Sequence, residues 1–159
     1  MKPIIYIETS VVSYLTARPS RDIVIAARQM WTREWWDRAS QRGTLRISDL
    51  VLEEVSRGDS YAAALRIHAL RGIEALSTTS EAQTLATRLI EMQALPPTEP
   101  EDALHIALAT VSGAHYLVTW NFAHLVGPDV KLKLLDTLRT CGYRPPLLTT
   151  PEELLEITP

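Results

Sequence analysis

Cysteine is nearly absent from this 159-residue chain, and long apolar runs are absent altogether. Its single cysteine, Cys141, excludes an internal disulfide and is typical of proteins from a reducing cytosol. Near the amino terminus Glu8 interrupts the apolar run that begins at Ile4, so no signal-peptide core of adequate length forms there. No other stretch stays apolar for long enough to span a bilayer. These absences predict a cytoplasmic protein.

Glycine is also scarce. The six glycines are scattered along the chain, and neither a G-x-G-x-x-G nor a G-x-x-x-x-G-K-[ST] pattern occurs. Without such a loop, no run of backbone N–H groups is arranged to cradle a nucleotide phosphate. The sequence therefore argues against a nucleotide-binding α/β protein.

An excess of basic charge is missing as well, since the net charge is −3 and the isoelectric point is about 5.8. Nucleic-acid-binding proteins usually have a basic surface, so the overall charge does not by itself indicate such a partner. The first third of the chain nevertheless has a basic bias. Its arginines are Arg18, Arg21, Arg28, Arg33, Arg38, Arg42 and Arg46. Two roles stay open for them, a solvated helix face and contact with phosphate.

The chain does contain a regular alternation of short apolar strands and longer helical segments. The pattern predicts strands at 4–7, 45–47, 73–76, 116–118 and 147–148, with helices between them. These strands lack polar alternation, as is typical of parallel strands that are covered on both faces. We therefore predict a single α/β domain over residues 1–159, with a mainly parallel central sheet flanked by helices on both faces.

Polar residues follow several of these predicted strands. In a parallel sheet, functional residues gather beyond the carboxyl ends of the strands, near the point where the strand order reverses. The residues expected there are Glu8, Glu53, Glu54, Asp102, Thr119, Asn121 and His124. Asp102 also suits an ordinary helix N-terminus, and Glu53 and Glu54 suit a solvated helix face. Glu8 differs, because it ends an apolar strand, where a charge without a partner is costly to bury.

Several carboxylates in one place repel one another unless a cation offsets the repulsion. Mg²⁺ and Mn²⁺ take oxygen ligands, and Mg²⁺ retains several waters, so two or three carboxylates suffice to hold the ion. Such an ion polarises a phosphoryl oxygen and turns a bound water into a nucleophile. The pattern therefore predicts metal-dependent phosphodiester hydrolysis without a covalent enzyme intermediate.

Four segments resemble the motifs of PIN domains, in the expected order and spacing. An apolar strand, an acid and Thr-Ser stand at 5–15, SDLVLEEVSRG at 48–58, DALHIA at 102–107 and LVTWNF at 117–122. The register of the second motif aligns Glu54, rather than its neighbour, with the acid of the family. The resemblance runs from the first strand to about residue 125.

The resemblance implies a ribonuclease fold, often the toxin half of a VapBC-type toxin–antitoxin pair, with Mg²⁺ or Mn²⁺ bound by the acids. It implies a catalytic set of Glu8, Glu54, Asp102, Thr119 and Asn121. Within that set Glu8, Asp102 and Asn121 are the expected metal ligands, and Glu54 joins them directly or through water. Thr119 is expected to orient a ligand or a water. The expected substrate is single-stranded or looped RNA, whose bases are within reach of a protein.

Two positions depart from the family pattern. Glu8 stands where the family usually has aspartate, and its carboxylate lies one methylene further from the backbone, so it must fold back or the ion must shift. Asn121 offers only a neutral oxygen at the fourth position. We expect weakened metal affinity. The alternative is a PIN-like fold that has lost catalysis and serves as an RNA-binding or protein-interaction module.

Further residues carry weaker expectations. His105 lies one turn into its helix, and we expect a packed histidine rather than a metal ligand. His124 is expected on a surface loop. Thr9 or Ser10 suits the N-cap of the first helix.

The second helix is rich in tryptophan. Trp31 and Trp35 are one turn apart and favour core contacts, and with Trp36 they suggest an exposed apolar stripe. Such a stripe suits a dimer contact or an antitoxin helix. We therefore predict a homodimer formed through the early helices.

Overall fold

Five short strands form one sheet in a computed structural model, which describes residues 1–121 and 127–156. They are β1 (Ile4–Ile7), β2 (Thr44–Ser48), β3 (Glu74–Leu76), β4 (Tyr116–Val118) and β5 (Leu147–Thr149). The order across the sheet is β3-β2-β1-β4-β5, and every neighbouring pair is parallel. The predicted parallel sheet is confirmed.

The described residues also form eight helices. They are α1 (Thr9–Thr16), α2 (Ile23–Arg42), α3 (Asp49–Val55), α4 (Ser60–Ala69), α5 (Ser80–Glu91), α6 (Pro100–Val111), α7 (Pro128–Thr140) and α8 (Pro151–Leu155). The sheet grows from β1 toward β3 on one side and from β4 to β5 on the other. Right-handed crossovers in opposite directions lie on opposite faces, so the helices cover both faces of the sheet. This confirms the α/β class.

β1 is the central strand, and its neighbours determine what stands beside its carboxyl end. Ile7 pairs with Val118 of β4. Beyond that pair, the backbone N–H of Glu8 donates to the carbonyl of Val118 (3.1 Å), and the N–H of Thr119 donates to the carbonyl of Thr149 on β5 (2.9 Å). Glu8 and Thr119 therefore leave the sheet side by side.

The buried apolar side chains form one continuous core. Ile5, Tyr6 and Ile7 of β1 are all buried, which explains why this strand shows no polar alternation. Each such isoleucine contributes about 2 kcal/mol through burial. Within the described ranges, no helix combines the length and the apolarity that crossing a membrane would need.

Side-chain caps begin most of the helices. Outside α1 the capping residues are Asp22, Ser48, Asp59, Thr79 and Thr150. The prediction that Thr9 or Ser10 caps α1 was wrong. Glu8 is the N-cap, and its side chain accepts the N–H of Ser10. The backbone of Glu8 is still extended, so Thr9 already lies within the helix.

The tryptophans of α2 are more buried than the sequence predicted. Trp35 is buried, and Trp31 and Trp36 are half-buried and pack against the core. The expected exposed tryptophan stripe is therefore wrong. The exposed apolar residues of α2 include Ile23 and Met30, which are 85% and 59% exposed.

Candidate active site

The carboxyl ends of β1 and β4 meet where the strand order reverses. Glu8 follows β1, and Thr119 follows β4. Both are buried, with exposed fractions of 6% and 0%. Ligands of open parallel sheets bind in the crevice at this point, so two of the predicted site residues lie at the expected place.

The Glu8 carboxylate is bonded through both of its oxygens. Oε1 accepts from the hydroxyls of Ser10 (2.5 Å) and Thr119 (2.6 Å), and Oε2 accepts from the backbone N–H of Ser10 (2.8 Å). The longer glutamate side chain thus folds back onto the helix that it caps. These donors, together with the N-terminus of α1, compensate the charge that is buried here.

Glu54 lies on the other side of the site, on α3. Its Oε1 accepts from Thr9 Oγ1 (2.5 Å) and His105 Nε2 (2.6 Å), and neither bond involves Oε2. Burial alone would raise the pKa of Glu54. Its hydrogen bonds with His105, Glu101 and Thr9, together with the charge of His105, outweigh burial and lower that pKa to about 2. Glu54 is therefore a carboxylate at neutral pH.

Glu101 is hydrogen-bonded to Glu54, and the sequence did not predict it as a site residue. Glu53 turns to solvent and pairs with Arg57 (3.2 Å), which also binds Glu101 (3.0 Å). A hydrogen bond with the Glu54 carboxyl raises the pKa of Glu101, and Arg57 offsets this only in part. The available signal was its place beside Asp102 in the first turn of α6. The sequence leaves open which of two adjacent acids turns toward Glu54.

His105 is buried between Glu54 and the sheet. Its exposed fraction is 1%, and its Nδ1 lies 2.8 Å from the hydroxyl of Tyr6, which is itself 2.8 Å from Ser48 Oγ. Because a carboxylate only accepts, His105 Nε2 donates to Glu54. His105 is packed, as expected. The role of Tyr6 was missed, because a tyrosine within an apolar strand resembles an ordinary core residue.

The charges of the three predicted acids, Glu8, Glu54 and Asp102, all act on the imidazole of His105. Burial lowers the pKa of His105, but its hydrogen bond with Glu54 and the charges of Glu8, Glu54 and Asp102 outweigh burial and raise it. Such charge effects are strong only at short range. Carboxylates after β1, on α3 and on α6 thus lie close enough to His105 for their charges to act on it.

A hydrogen bond between Asp102 and Asn121 connects α6 to the residues that follow β4. Asp102 lies in the first turn of α6, and its Oδ1 accepts from Asn121 Nδ2 (3.2 Å). The backbone N–H of Asn121 donates to Thr119 Oγ1 (2.9 Å), which in turn donates to Glu8. A continuous chain of hydrogen bonds therefore joins Asp102 to Glu8.

Trp120 anchors the site to α2, which the sequence did not indicate. Its backbone N–H donates to Ser10 Oγ (2.9 Å), and its indole N–H donates to Thr32 Oγ1 (2.7 Å). The ring stacks with Trp31, and the guanidinium of Arg28 lies 5.7 Å from its centroid, within cation–π range. One arginine of the basic first third therefore lies beside the site.

The donor set is suited to a hard cation. Carboxylate, amide and hydroxyl oxygens are the ligands that Mg²⁺ and Mn²⁺ take, and Mg²⁺ completes its shell with water. Among residues 1–121 and 127–156, no three Asp, Glu, His or Cys side chains are already gathered as a metal-binding group. The chemistry of the donors thus fits, with water required for the rest of the shell. His124 lies outside the described residues.

Comparisons with known proteins place this geometry in context. A chain in the crystal structure of VapBC2 from Rickettsia felis, bound to a DNA fragment from its promoter, superposes with a TM-score of 0.61 at 17% identity. The match covers 92% of this chain and 98% of that chain, and at this identity it establishes a shared fold. No curated protein matches the sequence closely enough to count as a relative.

A match to a protein-family model assigns this chain to a family. The PIN domain model matches residues 5–121, a range that holds Glu8, Glu54, Asp102, Thr119 and Asn121. PIN domains are generally nucleases, and they typically use divalent metal ions. The chain belongs to the PIN-domain family.

Proposed function

We propose that this protein is a metal-dependent endoribonuclease that hydrolyses RNA phosphodiester bonds in the cytoplasm. The observation that carries the proposal is that the charges of three carboxylates, Glu8 beyond β1, Glu54 on α3 and Asp102 on α6, all act on His105. Membership of a family of nucleases supports it. Single-stranded or looped RNA is the proposed substrate, since its backbone and bases are within reach of a crevice at a sheet edge.

In this proposal Glu8, Asp102 and Asn121 would hold Mg²⁺ or Mn²⁺. The ion would polarise a phosphoryl oxygen and lower the pKa of a bound water. The chain's own residues position the site: Thr119 orients Glu8 through its hydroxyl. Asn121 donates through Nδ2 to Asp102 and so turns its carbonyl oxygen away from that carboxylate. Glu54 adds a third carboxylate to those of Glu8 and Asp102.

RNA cleavage in the presence of Mn²⁺ or Mg²⁺ tests the proposal. Asp102→Asn should lower the rate at least about 100-fold, the scale of losing one preorganised electrostatic group. Asp136→Asn is the matched control, because Asp136 is exposed on α7, which contributes no residue to the site, and its rate should equal that of the wild type. Equal cleavage by wild type and Asp102→Asn would refute the site.

One observation favours a second function, a PIN-like RNA-binding or protein-interaction module without catalysis. Both oxygens of Glu8 are already hydrogen-bonded by the protein, which lowers their capacity to bind an ion. Calorimetric titration with Mn²⁺ separates the two functions. A nuclease takes up the ion at millimolar concentration or below, whereas a module without catalysis shows no metal-binding heat.

We further propose that the protein is the toxin of a toxin–antitoxin pair and forms a homodimer. The shared fold with a chain of VapBC2 supports the first, and exposed Ile23 and Met30 on α2 support an apolar contact. Co-expression with the product of the neighbouring reading frame should yield an inactive complex. Light scattering should give twice the mass of one chain, and a monomer mass at micromolar protein would contradict the dimer.

A further inference from the structure

Ser48, Tyr6, His105 and Glu54 form a chain of hydrogen bonds in that order. Ser48 Oγ caps α3 by accepting the N–H of Val51 (3.2 Å) and contacts the hydroxyl of Tyr6. Tyr6 contacts His105 Nδ1, and His105 Nε2 contacts Glu54 Oε1 near the end of the same helix. Both ends of α3 are therefore tied to one buried histidine. Tyr6 and Ser48 are fully buried, so water does not compete for these bonds.

Each group in this chain of hydrogen bonds has a partner when all of the donors point in one direction along it. The N–H of Val51 donates to Ser48, the Ser48 hydroxyl donates to Tyr6, and the Tyr6 hydroxyl donates to His105 Nδ1. His105 then carries its hydrogen on Nε2 and donates it to Glu54. In this arrangement the tyrosine sets the tautomer of the histidine, and the tautomer provides the donor for the carboxylate.

Glu54 has three side-chain partners, Thr9, His105 and the Glu101 carboxyl, and the first two bind the same oxygen. Thr9 Oγ1 and His105 Nε2 both contact Oε1. Two donors on one oxygen fix the plane of the carboxylate, because any rotation short of the half-turn that exchanges its two equivalent oxygens breaks both bonds. Oε2 is held in a defined direction without taking part in either bond.

We propose that the buried Tyr6–His105 pair is a positioning device for Glu54, which holds Oε2 ready for the metal or for a metal-bound water. The proposal rests on the metal-dependent function proposed above. His105 acts here through Glu54 and does not itself touch the ion. Partners that orient a metal-binding side chain commonly change metal affinity by 10- to 100-fold when they are removed, roughly the size expected here.

Two substitutions of His105 separate positioning from packing. In His105→Gln the side-chain amide reaches about as far as Nε2 and can still donate to Glu54. In His105→Asn the amide ends near the position of Nδ1, so the donor to Glu54 is lost. Both remove the imidazole, so in metal-free buffer both should lower the urea midpoint of unfolding by a similar amount. His115→Asn is the control, because His115 is exposed and bonds the N–H of Ile4 at the opposite end of β1.

Calorimetry with Mn²⁺ gives the first readout. His105→Asn should weaken binding about tenfold or more, and His105→Gln should restore most of that loss. His115→Asn should bind as the wild type does. In a Glu54→Gln background, His105→Asn should cause no additional loss, since the two residues act through one contact. Equal weakening by Gln and Asn, or an undiminished loss in that background, would overturn the proposal.

Crystal structures of the metal-free variants give a readout that needs neither RNA nor metal. Glu54 should keep its orientation in the wild type and in His105→Gln, and it should turn or occupy several rotamers in His105→Asn. An unchanged Glu54 in His105→Asn overturns the positioning role even if the protein cleaves RNA. If the wild type binds no Mn²⁺, the proposed nuclease function fails, and the orientation of Glu54 still decides whether His105 positions it.

Discussion

Two corners of the site hold buried or half-buried carboxylates in different ways. The Glu8 corner comprises Glu8, Ser10 and Thr119, and the Glu54 corner comprises Thr9, Glu54, Glu101 and His105. In the Glu8 corner every protein donor is a hydroxyl or a backbone N–H, and both carboxylate oxygens are bonded. In the Glu54 corner a hydroxyl and an imidazole share one oxygen.

The difference lies in what each carboxylate does for the fold. Glu8 begins α1 and ties that helix to β4 through Thr119, so its charge is part of the local architecture. Glu54 lies near the end of α3 and does not cap a helix, and Thr9 and His105 orient it through Oε1 alone. A glutamate at the end of a strand and a glutamate on a helix thus reach one site with different freedom to bind a ligand.

The largest effect on stability is expected at Glu8. Glu8→Ala removes a helix cap and leaves two hydroxyls and one N–H without their acceptor, which should cost about 4 kcal/mol of unfolding free energy. Glu54→Ala should cost about 2 kcal/mol, since two donors lose one oxygen. Urea unfolding of metal-free protein measures both. Glu53→Ala, which breaks one exposed ion pair, should cost less than about 1 kcal/mol. A larger loss of unfolding free energy in Glu54→Ala than in Glu8→Ala would contradict this comparison.

The second effect is the acid dependence of stability that Glu54 causes. The folded-state pKa of about 2 lies below the ordinary value of 4.5, so the stabilisation is complete above pH 4.5 and is lost as pH falls toward 2. The shift corresponds to at most about 3 kcal/mol. In Glu54→Gln the unfolding free energy should fall less over this range. Parallel curves for the two proteins, measured with a metal chelator present, would contradict the assignment.

Within the two corners the smallest effect is expected at Thr119, which connects the Glu8 corner to Asn121. Thr119→Val removes a donor to Glu8 and an acceptor for the Asn121 N–H, and it should cost about 1 to 2 kcal/mol. Thr119→Ser keeps the hydroxyl and should cost less. Thermal unfolding compares the two. A loss in Thr119→Ser as large as that in Thr119→Val would mean that the methyl group contributes as much as the hydroxyl, and it would contradict this role of the hydroxyl.

Much of the fold was predictable because it depends on local pattern. The apolar run at Ile4–Ile7 and its counterparts predicted the five strands, and their lack of polar alternation predicted parallel pairing. The positions of Glu8 beyond β1 and of Thr119 and Asn121 beyond β4 followed from the rule that function gathers at the carboxyl ends of such strands, and Asp102 was predicted from its motif. The metal-binding and catalytic roles of these residues remain predictions.

Other parts of the site depend on contacts between distant segments. Tyr6 meets His105, which is 99 residues away, and its neighbours in the sequence give no indication of a polar partner. Glu101 turns toward Glu54 because of the phase of α6 against α3, and residue type alone does not reveal that phase. The cap of α1 was misassigned for a local reason, since threonine and serine are commoner caps than glutamate.

The sequence by itself determined the α/β class and the order of its elements, because hydrophobic periodicity is written along one dimension, and it predicted which acids form the site. Only the tertiary structure decided how each acid is held: Glu8 by the hydroxyl of Thr119, and Glu54 by Thr9 and His105, which donate to one oxygen. Those hydrogen bonds join strands and helices across 45 to 111 residues of chain. They exist only where folding has excluded water and brought the partners within about 3 Å.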